Sequence, residues 1–541
     1  MAYARPSDQP TDGLTPDPPA SPADGVVTPD SPWNPAPGAV AAGLPALVAF
    51  LLYLPTLMPG PGFWDTAEFQ AVGPVLGIAH PTGFPTYTLL GWLASVVLQP
   101  FGNPAYRINL LSALLVAAAA GLTTLSAARL TRAWLPALGA GLALATCQIA
   151  WWVGQRADPH ALHVFFVALI LALLVVWAQR HRAGAAGAGS ILFAAAIVYG
   201  LALGNHALTV LLAPGIAAFL LWVDRGLLDV RRRLTAACAA GLVLTTALLY
   251  AYIPIRASMN PPLDYAHPDN LSRFLYLVLG QQFHGLIRNP LANASSTLLD
   301  IFVGQAGWPV VVLGAVGLVA LAAGRSRAGR LGPPLALMTG LWFGLTVIFA
   351  LGYADAAIDR YYLGPLLVLA VWAAIGLAAA WDATAPLRAR LMGLAPSGGA
   401  WRLAGVALAC VAVLAWPAAQ AAQGRSANNA SGDTQATAWS NAAFAALPPR
   451  AVVVSWWSYS TILWYEQSVA GRRPDILIVD DRTRLDLGYG SVADTVRRFM
   501  AEGRPVYLIR PETEILTLEA MFNLQYVPLL PGYEGLWRVQ P

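Results

Sequence analysis

Two carboxylates and a histidine stand close together in Gly62-Phe-Trp-Asp-Thr-Ala-Glu-Phe-Gln70 and Gly77-Ile-Ala-His-Pro-Thr-Gly-Phe-Pro85, just beyond the first long apolar segment. Such side chains move protons, so Asp65, Glu68 and His80 are candidates for acid–base chemistry at a membrane surface. Asp65 and Glu68 are three residues apart, and a helix starting at Thr66 would set them on its first turn. Asp at an N-cap with Glu three positions on is also a capping-box pattern, and the two roles are compatible. A carboxylate whose oxygens are held by N–H donors stays ionised and aimed, as a general base must be.

Further polar clusters punctuate the apolar runs. Arg156-Ala-Asp-Pro-His160-Ala-Leu-His163 opens a helix and puts Asp158, His160 and His163 within reach of one another. They could hydrogen-bond a substrate, hold a metal, or simply start the helix. Asn205 and His206 lie between two apolar runs with almost no loop. Polar groups at that depth mark a pathway, a site or a hydrogen bond between helices. Arg256 and Arg360 sit at the outer ends of spans, against the positive-inside bias. Either an acid such as Asp264 or Asp359 pairs with them, or they bind an anion such as a lipid phosphate.

The elements that must position these groups follow from composition. The chain has 541 residues, 57% hydrophobic and 11% charged, with a mean hydropathy of +0.57, which is the signature of a polytopic membrane protein. Every basic residue is arginine, and a net charge of +4 is too small at this length to imply nucleic-acid binding. Cys147, Cys238 and Cys410 sit in apolar runs without metal-ligand spacing, as buried small hydrophobes do. Residues 1–38 are rich in Pro, Asp, Ser and Gly and are expected to form a disordered cytoplasmic tail.

Apolar runs at 39–58, 108–127, 134–151, 161–178, 190–204, 207–223, 234–255, 301–323, 333–352, 361–380 and 403–421 predict about eleven transmembrane helices. Arginines cluster in alternate links (129–132, 180–182, 225–233, 325–330, 388–402), which are therefore cytoplasmic. The opposite links, including 59–107, 152–160 and 256–300, carry nearly all the candidate site residues. An odd span count exports the tail. Within 423–541, Ala451–Ser455, Asp475–Asp480 and Pro505–Ile509 read as strands with helices between them, a small extracytoplasmic α/β domain with a mostly parallel sheet. No Gly-x-Gly-x-x-Gly follows the first strand. Trp456, Trp457, Tyr459, Trp464 and Tyr465 fit interfacial anchors better than sugar-stacking faces.

Taken together, Asp65-x-x-Glu-Phe, Leu76-Gly-Ile-Ala-His-Pro-Thr-Gly-Phe-Pro85, Ala157-Asp-Pro-His-Ala-Leu-His163, Gly200-Leu-Ala-Leu-Gly-Asn-His206, Tyr252-Ile-Pro-Ile-Arg256, Asp359-Arg-Tyr-Tyr362 and Gly471-Arg-Arg-Pro-Asp-Ile476 resemble a known membrane family. It is the bacterial branch of the once-uncharacterised family that includes the eukaryotic transmembrane O-mannosyltransferase of IPT domains. The resemblance spans roughly residues 45–485 and implies a GT-C glycosyltransferase fold over residues 39–422, an acidic motif in the first outer loop, and a polyprenyl-phosphate-linked sugar as donor, with mannose as one choice. Many bacterial members carry helical repeats after the membrane part, whereas this chain ends in a short α/β segment.

The expected chemistry is sugar transfer to an acceptor hydroxyl, on protein or glycan, at the outer face of a bacterial inner membrane. Asp65 is the candidate base and Glu68 its support. Arg256 and Arg360 are the candidates for the donor phosphate, and His80, Asp158, His160, His163, Asn205 and His206 line the site. No metal cofactor is required if arginines neutralise the phosphate, although some GT-C enzymes use a divalent ion. The competing classes are a lipid or glycolipid flippase, which would place its site at the midplane between repeats, and an inactive scaffold.

Overall fold

A computed structural model describes residues 38–292, 294–355, 357–386, 390 and 414–540. Its membrane part is built of helices α1 (Gly38–Tyr53), α2 (Trp64–Val75), α3 (Pro85–Val97), α4 (Pro104–Thr131), α5 (Trp134–Thr146), α6 (Gln148–Gly154), α7 (Pro159–Arg182), α8 (Ala188–Leu203), α9 (Ala213–Val223), α10 (Arg233–Ser258), α11 (Leu271–Val278), α12 (Ala294–Leu298), α13 (Gly304–Ala322), α14 (Gly332–Leu351) and α15 (Leu363–Ala383). Among the described residues six helical stretches are long and apolar enough to cross a membrane, or seven if the bent pair α5–α6 counts as one span. The chain is thus a multi-pass membrane protein. Runs expected at 39–58, 190–204 and 207–223 form shorter apolar helices, and most of the run at 403–421 lies outside the described residues.

Helices α4, α7 and α15 are largely buried, while α10 turns most of its surface outward. This is how a bundle in lipid divides its helices, since an apolar face needs no protein cover there. Close approach is set by small residues where α13 crosses α15. A Cβ on Gly317 would fall 1.8 Å from the Trp372 carbonyl oxygen, and one on Gly376 would fall 2.0 Å from that of Leu313. Only glycine fits at either position, and the crossing fixes the helix that follows Arg360.

Helix α2 begins at Trp64 with Phe63 as its N-cap, and no side chain caps it. The capping box expected of Asp65 and Glu68 is therefore not formed, because Asp65 already lies inside the first turn and its oxygens go elsewhere. At the other end Leu76 is left-handed, and the Leu76 and Gly77 N–H groups donate to Gly73 and Val72. This is a Schellman ending with leucine where glycine is usual.

The C-terminal segment forms a five-stranded sheet in the order β2-β1-β3-β5-β4, where β1 is Val452–Val454, β2 Leu477–Val479, β3 Val506–Leu508, β4 Asn523–Val527 and β5 Leu536–Gln540. Strand β1 pairs in parallel with β2 and β3, while β5 runs antiparallel to β3 and β4. The parallel half matches the three strands read in the sequence, and the antiparallel half went unread. The unit docks on the membrane part through aromatic rings: Phe63 stacks on Tyr533 at 5.3 Å and meets Tyr459 edge-on at 5.5 Å, and Trp64 meets Trp456 at 5.3 Å. The aromatic cluster expected to anchor in the bilayer instead joins the two parts of the protein.

Candidate active site

A cavity of about 1210 Å³ lies between the membrane helices and the sheet unit. Asp65, His80, His160, His206 and Arg360 line it, whereas Glu68, Asp158, His163, Asn205 and Arg256 do not. Residues from four separate segments between the apolar helices thus meet at one place.

Arg360 is the hub. Its Nη2 donates to Asp65 Oδ2 at 3.0 Å and its Nη1 to Asp158 Oδ2 at 3.1 Å. Neither Asp264 nor Asp359 pairs with it: Asp264 holds His267 at 2.5 Å. The other Asp158 oxygen accepts from the His160 backbone N–H and lies 2.9 Å from His160 Nδ1. Asp158 thereby N-caps α7 and orients the His160 ring. A carboxylate on each side makes the guanidinium a fixed strut, as its planar fork allows.

The second Asp65 oxygen accepts from Trp457 Nε1 at 3.0 Å, across 392 residues of sequence. Trp457 follows β1, and Asp480, Asp481 and Arg482 follow β2; all four line the cavity. The carboxyl ends of the parallel strands therefore face the site, where open α/β sheets commonly bind ligands. Sequence reading missed this wall. Its one signal was the aromatic density around Trp457, which an interfacial belt explains equally well.

Asp65 titrates below the ordinary carboxylate value: burial pushes it up, but the charges of His80 and Arg360 and the Trp457 hydrogen bond outweigh burial. Glu68 is only 3% exposed. It accepts from the His80 backbone N–H at 2.7 Å and lies 2.5 Å from His80 Nδ1. Burial raises Glu68 despite the pull of His80, and His80 is raised as well, because Glu68 and Asp65 outweigh its burial. One proton shared between Glu68 and His80 accounts for both directions. Glu68 thus stands behind His80, away from the cavity. Ligand atoms of Asp65, Glu68 and His80 all lie within 4.8 Å of one another, so this trio, rather than Asp158, His160 and His163, has the spacing of a metal site.

His206 and His160 continue the wall, their rings 4.5 Å apart. His163 packs behind His206 at 5.7 Å, and Asn205 donates to the Pro159 carbonyl at 3.1 Å, so both support α7 and the α8 break. Arg256 is placed differently from what its position suggested. Its Nε donates to the Leu76 carbonyl at 2.8 Å and its Nη2 to that of Val75 at 3.3 Å. Those carbonyls end α2, so Arg256 completes that helix terminus and stays out of the cavity. Beside it Tyr252 donates to the Gly77 carbonyl, and Ile78 forms an isolated parallel bridge with Asp264 through Leu263 and Tyr265, which steers the chain toward His80.

The rest of the cavity is apolar and open. Val210, Leu279 and Ile287 line it and are exposed, at 58%, 57% and 66%. A pocket with a charged corner and an exposed apolar wall suits an amphipathic molecule.

Residues 65–227 match the family model described as the N-terminal domain of the protein O-mannosyl-transferase TMEM260. The protein O-mannosyl-transferase TMEM260 of Mus musculus is 33% identical over 229 residues, covering 41% of this chain and 30% of that protein. The match thus spans less than a third of the curated relative. Among solved structures, ArnT from Cupriavidus metallidurans bound to undecaprenyl phosphate superposes with a TM-score of 0.57 at 13% identity, over 92% of this chain and 97% of that one. The oligosaccharyltransferase AglB from Archaeoglobus fulgidus, in complex with an inhibitory peptide and a dolichol-phosphate, gives 0.55 at 13% identity over 92% and 74%. The chain therefore has the GT-C fold of these proteins.

Proposed function

We propose that this protein is a membrane glycosyltransferase that moves a sugar from a polyprenyl-phosphate donor to an acceptor hydroxyl, with its site at the extracytoplasmic face of a bacterial cell membrane. The observation that carries the reading is Asp65, held by Arg360 and Trp457 on the wall of a cavity whose other wall is apolar and exposed. The GT-C fold and the resemblance to a protein O-mannosyl-transferase support it, and mannose is the first sugar to try.

In this reading the donor's tail lies along Val210, Leu279 and Ile287 and its head enters the polar pocket. Asp65 takes the proton from the acceptor hydroxyl as that oxygen bonds to the anomeric carbon; the bond from that carbon to the phosphate oxygen breaks, and the phosphate leaves with the electron pair. Asp65 keeps lone pairs for the acceptor, since a carboxylate offers about four acceptor positions and two are taken. Arg360 holds Asp65 in place for that proton transfer from the same cavity wall. A specific observation favours a metal-assisted variant: Asp65, Glu68 and His80 could hold a divalent ion in place of the shared proton. Such an ion would supply positive charge beside the leaving phosphate.

The test is purified protein in liposomes with undecaprenyl-phosphate-mannose and a panel of hydroxyl acceptors. Release of undecaprenyl phosphate is expected, slowed by about 10²–10⁴ in Asp65→Asn. Lipid scrambling without any sugar release would instead favour the transporter class.

A further inference from the structure

The cavity presents its positive charge unevenly. Arg360 lies between two carboxylates, Asp65 and Asp158, so that pocket corner carries net negative charge before any ligand arrives. Arg482 is paired with Asp486, and His80 with Glu68. His206 accepts the Leu208 N–H on Nδ1 at 3.1 Å, which leaves its proton on Nε2 and the ring neutral. A phosphate could not settle against these groups alone, since each cation is already compensated.

Arg156 is the exception among the described arginines that line the cavity. It lines the same cavity, and its guanidinium carbon lies 4.2 Å above the centre of the Trp152 ring. Its Nε is buried and has no hydrogen-bond partner. Asp158 and Asp433 act on it through space, but no carboxylate among the described residues lies within the 4.0 Å of an ion pair. A half-buried, unpaired cation is costly to hold unless a ligand completes it. The indole face fixes the plane of the fork while leaving its edge free, the geometry that reads an anion bidentately.

We infer that Arg156, flat on Trp152, is the anchor for the phosphate of the polyprenyl donor, while Arg360 chiefly positions Asp65. The inference rests on the transferase reading above and deepens it. It also separates two kinds of phosphate ligand, a lipid headgroup and the free ion, because only the former has a tail for the apolar wall.

The experiment compares binding of undecaprenyl phosphate, undecaprenol and inorganic phosphate to the purified full chain in detergent. The wild type should prefer undecaprenyl phosphate to undecaprenol, with inorganic phosphate competing poorly. Arg156→Ala should lose that preference by about tenfold to a hundredfold, the size of a charged hydrogen bond. Its undecaprenol affinity should stay unchanged, which also reports an intact fold. Arg156→Lys should fall between, keeping the charge without the fork. Wild-type affinity for undecaprenyl phosphate in Arg156→Ala would overturn the anchor and leave the transferase reading standing. A wild type indifferent to the phosphate would overturn the transferase reading itself, and inorganic phosphate binding as tightly as the lipid would overturn the lipid source.

Discussion

Arg256 and Arg360 occupy the same kind of place in the sequence, each at the outer end of an apolar run, and the structure gives them opposite work. Arg256 meets two carbonyls at the end of α2 and completes a helix. Arg360 meets two carboxylates and builds a charged corner of the cavity. An arginine at a membrane surface is thus defined by what its fork finds. Carbonyls make it a structural clamp; carboxylates make it part of an electrostatic site.

Breaking the Arg360 side should have the largest effect. Arg360→Ala strips the counter-charge from Asp158, which is 2% exposed. Removing one partner of a buried pair costs about 3–5 kcal/mol. Thermal unfolding should register this loss, together with the disappearance of sugar transfer. Next comes Asp65→Asn, which keeps an acceptor for Arg360 but cannot take a proton; turnover should fall by about 10²–10⁴ with the melting temperature little changed. Full turnover in that variant would remove Asp65 as the base.

A smaller change tests the remote wall. Trp457→Phe removes one donor to the charged form of Asp65 while keeping a ring. Asp65 is depressed in the folded protein, so its contribution to stability is present above its unfolded value and is lost as pH falls through the folded one. The acid limb of kcat/KM should accordingly lie below the ordinary carboxylate range in the wild type and move upward in Trp457→Phe. An unmoved limb with normal turnover would make Trp457 a packing residue only. The smallest effect belongs to Arg256→Lys. It loses hydrogen bonds to carbonyls and should cost about 1–2 kcal/mol of stability with undecaprenyl phosphate affinity unchanged. A selective loss of that affinity would put Arg256 back among the phosphate ligands.

The sequence carried the membrane class and the nearness of Asp65, Glu68 and His80, because hydropathy and short spacing are local signals. It misjudged the cap of α2 by about two residues, the usual uncertainty of a helix boundary, and that shift turned a capping box into a site. It could not show that Arg360 would choose Asp158 over its neighbour Asp359, since α7 and α15 meet only through tertiary packing. Trp457 was visible as an aromatic, but its partner lies 392 residues away. Strands β4 and β5 escaped notice because β4 is mostly exposed and lacks a buried apolar run.

Because a ribosome makes Asp65 well before Trp457, the hydrogen bond between them cannot exist until the segment that carries Trp457 has been made and has docked. Asp65 is fully held only after that docking. A growing or truncated chain would already have Arg360 in place, yet its cavity would stand open to water on the side that the sheet unit closes. Docking of the sheet unit and closure of the cavity wall are thus one event, so the polar corner around Asp65 is sheltered only after the two parts of the protein have met.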